Sequence, residues 1–526
     1  MVLSKLFVTV STSIATVLIY VLIAGYRQRS RIYRLQQQGV AIADGWSWWF
    51  GHLLVLNKKL RTLPHDANIF MVMDDVINKH EDTGYFVMDY WPMFQPVLLT
   101  FSPEIATQVS SRRDFPKPAD QENSFRPIIG GPSLITMHET QWKFWRSLFN
   151  NGFSASHMLS LVPSLVDTVD IFCEQLFANV DGDIFFLDDM AMQLTMDIII
   201  KTTLDIDLDN QRAEHQLSHA LNTILDWHSF WDPRILLNPL RLPVQWYYGR
   251  CMDGFIKAQL QRRFEEMKSE RSASTSSQIK KAKSVIALAL EEHMSLKYKE
   301  GKQASDDLKL DPQFANIAAN QIRMFLFAGN DSTATTLVYT YHLLSQNPVA
   351  LAKLREEHAL VFHSSEAGDQ LREDPSLINQ CPYTLAVIKE ALRLFPASSA
   401  IRDGIVEFVP ERWLVGPGHP LYPKSPLTSY RPFEHGTRNC IAQTLVYNEL
   451  RVALIMTARK FDIKPAYEEW DCREKSRQGI FVTMMETLGL KGEQYKTVLG
   501  ERAYQTSRSG AHPADRYPCR VSLAQG

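Results

Sequence analysis

The sequence predicts a mainly α-helical fold with a small β part, and two patterns indicate it. An apolar run over residues 314–344 has the length of a buried helix, and residues 285–296 repeat apolar side chains at helical spacing. Strict alternation, which is typical of strands, is confined to a few stretches such as residues 85–100. The chain has no internal repeat and no low-complexity linker, so one large domain is expected.

The first segment reads as a membrane anchor. Residues 6–26 carry no charge and are long enough to span a bilayer as a helix. A cleaved signal peptide is the alternative, but its basic region would hold only Lys5 and no clear A-x-A site follows. Because positive residues stay cytoplasmic, the N-terminus is expected in the lumen and the rest in the cytosol. The basic residues after the apolar run are Arg27, Arg29, Arg31 and Arg34.

Composition fits a globular domain behind that anchor. Hydrophobic residues make up 45% and charged residues 22% of the chain, and a net charge of −2 gives no nucleic-acid signal. The six cysteines show no C-x-x-C or metal-site spacing, which suits a reducing compartment. We predict an anchor over residues 1–26, a linker over 27–60 and one domain over 61–526. Aromatic stretches at 46–50 and 226–250 are further candidates for membrane contact.

One cysteine stands in an unusual setting. Cys440 follows a glycine turn and a basic side chain in the stretch F-E-H-G-T-R-N-C-I-A, and an apolar helical run comes next. Backbone N–H groups and a following helix N-terminus would lower the pKa of the thiol. Gly436 allows the tight turn, and Phe433 keeps water from the sulfur. This pattern predicts a thiolate that ligates iron; a buried structural cysteine is the alternative.

The pattern F-x-x-G-x-R-x-C-x-A resembles the haem-ligand loop of the cytochrome P-450 superfamily, where glycine is usual at Ala442. The resemblance implies that haem is the cofactor, that Cys440 is its axial ligand, and that Arg438 partners a propionate. It also implies the fold of that family, with haem between the long buried helix and the cysteine loop. In such proteins the thiolate pushes electron density towards O–O cleavage.

A second motif, A-G-N-D-S-T, lies at residues 328–333 inside the long apolar run. A glycine within a helix costs about 1 kcal/mol, and close approach of a flat ligand would explain it. The run resembles the oxygen-activation motif of the family, which makes Asp331 and Ser332, with Thr333 beside them, candidates for proton delivery. The alternative is a helix kink with hydroxyls bonded back to carbonyls.

A third motif, E-x-x-R, places Glu390 and Arg393 on one helix face. With the later P-E-R-W element, it resembles a structural triad of the family that would consist of Glu390, Arg393 and Arg412. That triad would lock the core behind the haem without taking part in the chemistry. By the same resemblance, Arg402 would contact a propionate.

A fourth motif, W-x-x-x-R, pairs Trp142 with Arg146 at a spacing that lets the indole N–H and the guanidinium reach one anion. Taken alone, the pair is more typical of a packed helix face. In the resembled family it binds a haem propionate.

The sequence departs from the family after Gly404. Members normally place several tens of residues between the arginine after the E-x-x-R helix and the P-E-R-W element. Here Arg402 is followed almost directly by residues 405–408. Either an exon is absent from the sequence or the chain is truly shortened, and the second case would expose sheet edges.

The resemblance implies a haem-thiolate monooxygenase that inserts one oxygen atom from O₂ into an apolar small molecule. In its general features the sequence resembles filamentous-fungal members of secondary-metabolite pathways for polyketides or terpenoids, such as those acting on sterigmatocystin-type polyketides. Because the chain has no nucleotide-binding motif, electrons would come from an NADPH-dependent reductase or a cytochrome b-type donor. The expected location is the endoplasmic reticulum membrane, with a single pass and a cytosolic domain.

Substrate contacts are expected from residues 117–137 and from Phe325, Phe327 and Ala328. Two alternatives remain at this point. One is a haem-thiolate isomerase or dehydratase that uses no dioxygen, and the other is a catalytically impaired, shortened member of the family.

Overall fold

The computed structural model describes residues 2–69, 73–93, 95–112, 117–229, 233–272, 283–299, 309–362, 366–397, 407–422, 430–477 and 496–524. Helices dominate these residues, as predicted. In chain order they are α1 Val2–Gln37, α2 Leu53–Leu60, α3 Asp74–Asn78, α4 Pro103–Thr107, α5 Ala119–Ile129, α6 Glu139–Asn150, α7 Ala155–Ser160, α8 Val162–Ala178, α9 Leu187–Leu204, α10 Gln216–Asp226, α11 Pro233–Leu236, α12 Arg241–Ser272, α13 Val285–Lys299, α14 Pro312–Gln346, α15 Pro348–Val361, α16 Ala367–Glu373, α17 Pro382–Leu394, α18 Gln443–Thr457 and α19 Tyr467–Arg477.

The long helix α14 forms the centre of the molecule. Its start is fixed by Asp311, whose side chain accepts the N–H of Gln313 at 2.9 Å, and by Pro312 in the first turn. At 35 residues it is about 52 Å long. It packs against α9, α12, α5 and α17, and nearly all of its second half is buried. The buried helix predicted over residues 314–344 is therefore confirmed.

Two small sheets make up the β part. Strands β1 (Tyr85–Met88) and β2 (Val97–Thr100) pair antiparallel, with Tyr85 opposite Thr100. The other sheet has the order β3 (Phe185–Phe186), β5 (Pro518–Leu523) and β4 (Phe461–Pro465), all antiparallel neighbours. Because β5 is the central strand of this sheet, it fixes the end of the chain against the helical core. The predicted minor β part is thus confirmed.

The first helix, α1, does not end at residue 26 but continues to Gln37, into the segment predicted as a linker. Within the described residues, Phe7–Gln37 is the one helical stretch that is long enough for a membrane span and contains an 18-residue apolar window, with a mean hydropathy of 2.2. Its apolar window is fully exposed, so it is not packed as a core helix. This helix is therefore a candidate membrane anchor.

A buried ion pair docks the end of α1 on the domain. Arg29 forms a salt bridge with Asp89 and donates to the carbonyl of Trp91 at 3.0 Å; both members of the pair are buried. Trp46 donates its indole N–H to the same carboxylate at 3.1 Å. At Gly51 an added Cβ would lie 2.5 Å from the Arg29 guanidinium, so only glycine fits beside the pair.

Removing the buried arginine is expected to release α1. The Arg29→Ala substitution would leave Asp89 buried without its cation, which typically costs about 3–5 kcal/mol. We expect faster proteolytic cleavage between α1 and the domain in the Arg29→Ala protein than in the native chain. The Arg31→Ala substitution, at an exposed position of the same helix, is the matched control and should leave the cleavage rate unchanged.

Candidate functional site

The cysteine loop is held by its own backbone. The N–H of Cys440 donates to the carbonyl of Phe433 at 2.9 Å, and Gly436 has a φ of 81°, which explains the glycine. Helix α18 begins at Gln443, so its N-terminus lies directly behind the loop. Cys440 itself is half-buried.

The electrostatics of the thiol differ from the expectation. Burial raises the pKa of Cys440, and the N–H of Ala442 and the charge of Arg146 lower it only in part. The sequence-based prediction of a lowered pKa is wrong, because the loop is deep enough for desolvation to outweigh the favourable groups. A bound metal ion would reverse this balance, since a coordinating thiol is deprotonated outright.

Two guanidinium groups and an indole converge on this loop. Arg146 donates to the carbonyl of Asn439 at 2.9 Å and to its side-chain oxygen at 3.0 Å. Arg438 donates to the carbonyl of Met137 at 2.8 Å, and its guanidinium lies 4.5 Å from the ring centroid of Trp142. The structure thus brings together Trp142, Arg146, Arg438 and Cys440, which are far apart in the sequence.

Loss of one of these arginines is expected to weaken retention of the cofactor. Charged hydrogen bonds contribute about 1.5–3 kcal/mol each, so Arg146→Gln would loosen the loop that carries Cys440. We expect haem to transfer to a scavenger protein about tenfold faster from the variant. Lys143→Gln, at an exposed position of α6, is the matched control, and an equal rate in both variants would contradict the expectation.

One side of α14 is exposed near the middle of the helix, and this exposed strip is called the opening below. Ala328 is exposed and Gly329 and Ser332 are half-buried, whereas their neighbours on the helix are buried. The hydroxyl of Ser332 donates to the carbonyl of Ala328 at 2.7 Å, which is the back-bonded arrangement weighed as an alternative. Thr333 is buried and its hydroxyl has no hydrogen-bond partner in the structure. Of the two hydroxyl residues predicted here, only Ser332 lies at the opening.

Gly329 makes a contact that the sequence did not suggest. A Cβ at this position would lie 2.8 Å from the Cδ1 atom of Ile199, so the glycine lets α14 approach α9. The expected close approach of a flat ligand at Gly329 stays a prediction.

Asp331 has a partner that the sequence did not suggest. Its Oδ1 atom lies 2.9 Å from Nε2 of His512, and Nδ1 of the same ring lies 2.7 Å from Oδ1 of Asp188. All three residues are buried. A carboxylate within an apolar helix requires a cation or donors nearby, and that requirement is the one signal that could have prompted a search for a partner.

The three residues of the predicted triad also meet. Glu390 is fully buried, and Arg393 donates to it through Nε at 3.0 Å and through Nη2 at 2.9 Å. Arg412 donates to the same carboxylate at 2.9 Å, as do the backbone N–H of Val409 at 3.0 Å and the indole of Trp413 at 2.9 Å. The network joins α17 to the segment that follows it.

Two predicted features cannot be placed. Arg402 and the junction at Gly404 both lie outside the described residues. The expected substrate contacts divide: Ala328 is exposed at the opening, whereas Phe325 is buried in the core, with ring centroids 5.0 Å from Phe149 and 5.1 Å from Phe153. Phe327 is also buried.

A second group of potential metal ligands consists of Glu357, His358 and Cys381. The Glu357 carboxylate is already used: it accepts the backbone N–H groups of Tyr383 and Thr384 at 2.6 and 2.8 Å and caps α17. Burial also raises the pKa of Cys381 to about 12, which disfavours a thiolate. The group is best explained as a helix cap.

The site around Cys440 fits a haem. It offers one soft sulfur ligand, two guanidinium groups for anionic propionates, and an exposed strip on an otherwise buried helix. These features are what an iron porphyrin with two carboxylates would need from a protein.

Comparison with known proteins agrees with this description. The cytochrome P450 family model matches residues 44–402. The chain is 34% identical to cytochrome P450 monooxygenase polC of Polytolypa hystricis over 99% of this chain and 96% of the relative. It is 30% identical to cytochrome P450 monooxygenase acrF of Aspergillus aculeatus, over 83% of this chain and 93% of that protein.

The fold has a match among solved structures. The crystal structure of the cytochrome P450DA heme domain superposes with a TM-score of 0.64 at 15% identity, covering 92% of this chain and 98% of that one. At that identity the likeness concerns the fold alone.

Proposed function

The chain belongs to the cytochrome P450 family, and from that premise we propose that it is a haem-thiolate monooxygenase of fungal secondary metabolism. It inserts one oxygen atom from O₂ into an apolar small molecule. The observation that carries this proposal is the half-buried Cys440 thiol, with the charge of Arg146 close to it and Arg438 in the same loop. The relatives polC and acrF, both named as monooxygenases, support it.

In this proposal Cys440 would ligate the haem iron, and Trp142, Arg146 and Arg438 would hold the propionates. When bound, haem supplies dioxygen binding and one-electron chemistry. The protein contributes the thiolate, the closed pocket and the protons. Ser332 lies at the opening of α14, and Asp331 is the nearby acid of the same helix turn. These two residues are the proposed route of protons to the site.

We place the protein at the endoplasmic reticulum membrane, with α1 as a single span and the domain in the cytosol. The positive residues after residue 26 support this orientation. A second apolar surface supports contact with the bilayer: Leu237, Leu242 and Trp246 are more than 60% exposed around the start of α12. The proposed electron donor is an NADPH-dependent reductase, or a cytochrome b-type protein, docking from the cytosol.

We also propose that this sequence lacks a segment near Gly404. Two findings support the proposal. The alignment with polC spans 567 positions, so at least 41 of them (567 minus 526) have no residue of this chain. The family match also stops at residue 402. Sequencing the transcript tests this proposal: additional coding sequence between codons 402 and 410 is expected, and an uninterrupted junction would contradict it.

The reaction type is tested with labelled dioxygen. The full chain would be combined in vesicles with an NADPH-dependent reductase and a panel of apolar polyketides and terpenoids under ¹⁸O₂. We expect a product that is heavier by one ¹⁸O atom and depends on both NADPH and dioxygen. A product formed without either would show an isomerase or dehydratase instead. The Cys440→Ala protein is the control for haem-independent oxidation.

A further inference from the structure

A buried cluster of three titratable residues joins the centre of α14 to the end of the chain. We propose that Asp188 and His512 are positioning residues for Asp331, whose carboxylate they hold in one fixed orientation as part of the proton route. The three residues are called the carboxylate clamp below. This inference rests on the proposed monooxygenase function, because it assigns Asp331 a role in delivering protons.

The geometry of the three side chains supports this proposal. His512 lies between two carboxylates, with Nε2 at 2.9 Å from Asp331 and Nδ1 at 2.7 Å from Asp188. An ionised carboxylate only accepts hydrogen bonds, so both ring nitrogens must donate and the ring is an imidazolium. A neutral ring would leave one of its nitrogens facing a carboxylate without a proton. Each carboxylate therefore stabilises the positive charge of the His512 ring, and that charge in turn stabilises the other carboxylate.

The charge of His512 depends on the two carboxylates beside it. Burial alone would lower the pKa of His512, but the charges of Asp188 and Asp331 outweigh it and raise the pKa to about 9. Near neutral pH His512 therefore carries its positive charge. Above the pKa of His512 the cation is lost and two buried carboxylates remain close together without it.

The loop that carries His512 packs closely against Asp331. Residues 505–513 form a C-terminal loop in which Thr506 bonds the carbonyl of His512 through both its N–H and its hydroxyl, at 2.8 Å each. Gly510 has a φ of 72°, and an added Cβ there would lie 2.5 Å from Oδ2 of Asp331. Both oxygens of Asp331 thus face this loop, and the glycine is required by the contact.

Other charged groups surround the clamp at greater distance. Arg508 of the loop approaches Asp188 at 3.9 Å and is partly exposed. Asp189 of α9 pairs with Arg516 at 2.9 Å, and burial raises the pKa of Asp189. Asp226, at the end of α10, also has a pKa raised by burial, which Arg508 opposes. Among the described residues around it, His512 is the one cation that contacts Asp331 directly.

The test measures how electrons from NADPH are divided between hydrogen peroxide and water when dioxygen is the only acceptor. The haem-loaded full chain and its reductase would be assayed between pH 6 and pH 10. A positioned side chain that transfers a proton contributes about 10²–10⁴-fold to a rate; because the clamp only positions that side chain, its loss should have the smaller effect of raising peroxide release about tenfold. We expect the native chain to show this rise as pH passes about 9.

The His512→Gln protein should release at pH 7 as much peroxide as the native chain does above pH 9, with no alkaline transition. The Asp188→Asn protein keeps the ring but removes one of the two raising charges. Its transition should therefore move down from about 9 towards the ordinary histidine value of 6.5. His358→Gln, at a buried histidine bonded to Thr384, is the matched control and should keep the native profile.

A second readout does not need activity. Because the folded pKa of His512 lies above its ordinary value, the clamp stabilises the fold fully below about pH 6.5 and ceases to do so as pH rises through about 9. The melting temperature of the native chain should fall over that range more than that of Asp188→Asn. Identical pH profiles of peroxide release and melting in the native chain, His512→Gln and Asp188→Asn would overturn the inference.

Different results would overturn the proposed function and the carboxylate clamp. If the native chain shows no thiolate-type carbon monoxide spectrum and no NADPH oxidation, the proposed function is wrong. If both are present and the variants match the native chain, only the clamp is wrong. Should His512→Gln fail to fold, Asp188→Asn alone decides, because it preserves the histidine and its contact with Asp331.

Discussion

Replacing Cys440 by alanine is expected to abolish reductase-driven oxygenation and the thiolate-type spectrum together. The Cys440 thiolate is the proposed ligand of the haem iron, so its loss would remove both a bond to iron and the electron density that favours O–O cleavage. The loss of activity should exceed the roughly 10–100-fold cost that is typical of outer-shell partners of a metal site. Product formation and the carbon monoxide spectrum of the purified variant are the two measurements.

The matched control is Cys381→Ala. Cys381 is a buried cysteine, and it lies beside Glu357 and His358 in the second group of potential ligands. If that group is a helix cap, as its hydrogen bonds indicate, the Cys381→Ala protein keeps its spectrum and its activity. Loss of the spectrum in Cys381→Ala with retention in Cys440→Ala would reverse the assignment of the ligand.

Replacing Glu390 by glutamine is expected to destabilise the whole domain. The buried carboxylate accepts hydrogen bonds from Arg393, Arg412, Val409 and Trp413, and the substitution leaves two guanidinium groups without their counter-charge. Breaking a buried pair from one side costs about 3–5 kcal/mol. The denaturant midpoint should fall accordingly, and the fraction of protein that retains haem should fall with it.

Glu411→Gln is the control for this prediction. Glu411 lies in the adjoining Pro410–Trp413 segment and pairs with Lys353 at 2.6 Å, but both side chains are substantially exposed. Removing such a pair typically costs less than about 1 kcal/mol. Equal shifts of the denaturant midpoint in Glu390→Gln and Glu411→Gln would show that the buried network does not stabilise the domain as described.

The fold could be predicted well where one segment determines its own structure. An apolar run of 31 residues has few choices other than a buried helix, and α14 spans it entirely. The antiparallel pair β1 and β2 also lies within residues 85–100, where strands were expected, but the burial of neither strand alternates. The meeting of Trp142 and Arg146 with Arg438 and Cys440 was expected from the family resemblance alone, because the two pairs are far apart in the sequence.

The candidate site was harder to predict from the sequence where a property depends on residues that are distant in the chain. His512 is 181 positions from Asp331, and no periodic pattern in the sequence connects them. The contact between Gly329 and Ile199 was missed because Ile199 belongs to another helix. The pKa of Cys440 was expected to be low from its flanking groups, but the depth of the loop, a tertiary property, raises it. These cases share one physical cause: burial and long-range contacts are set by packing.

The most direct test of the central claim is the carbon monoxide difference spectrum of this chain after reduction. The account predicts a Soret band at the red-shifted position that a cysteine thiolate gives, because the loop at residues 433–442 presents Cys440 to the iron. A band at the unshifted position, or the absence of a band, would contradict the account, since haem would then be held without Cys440 or not held at all.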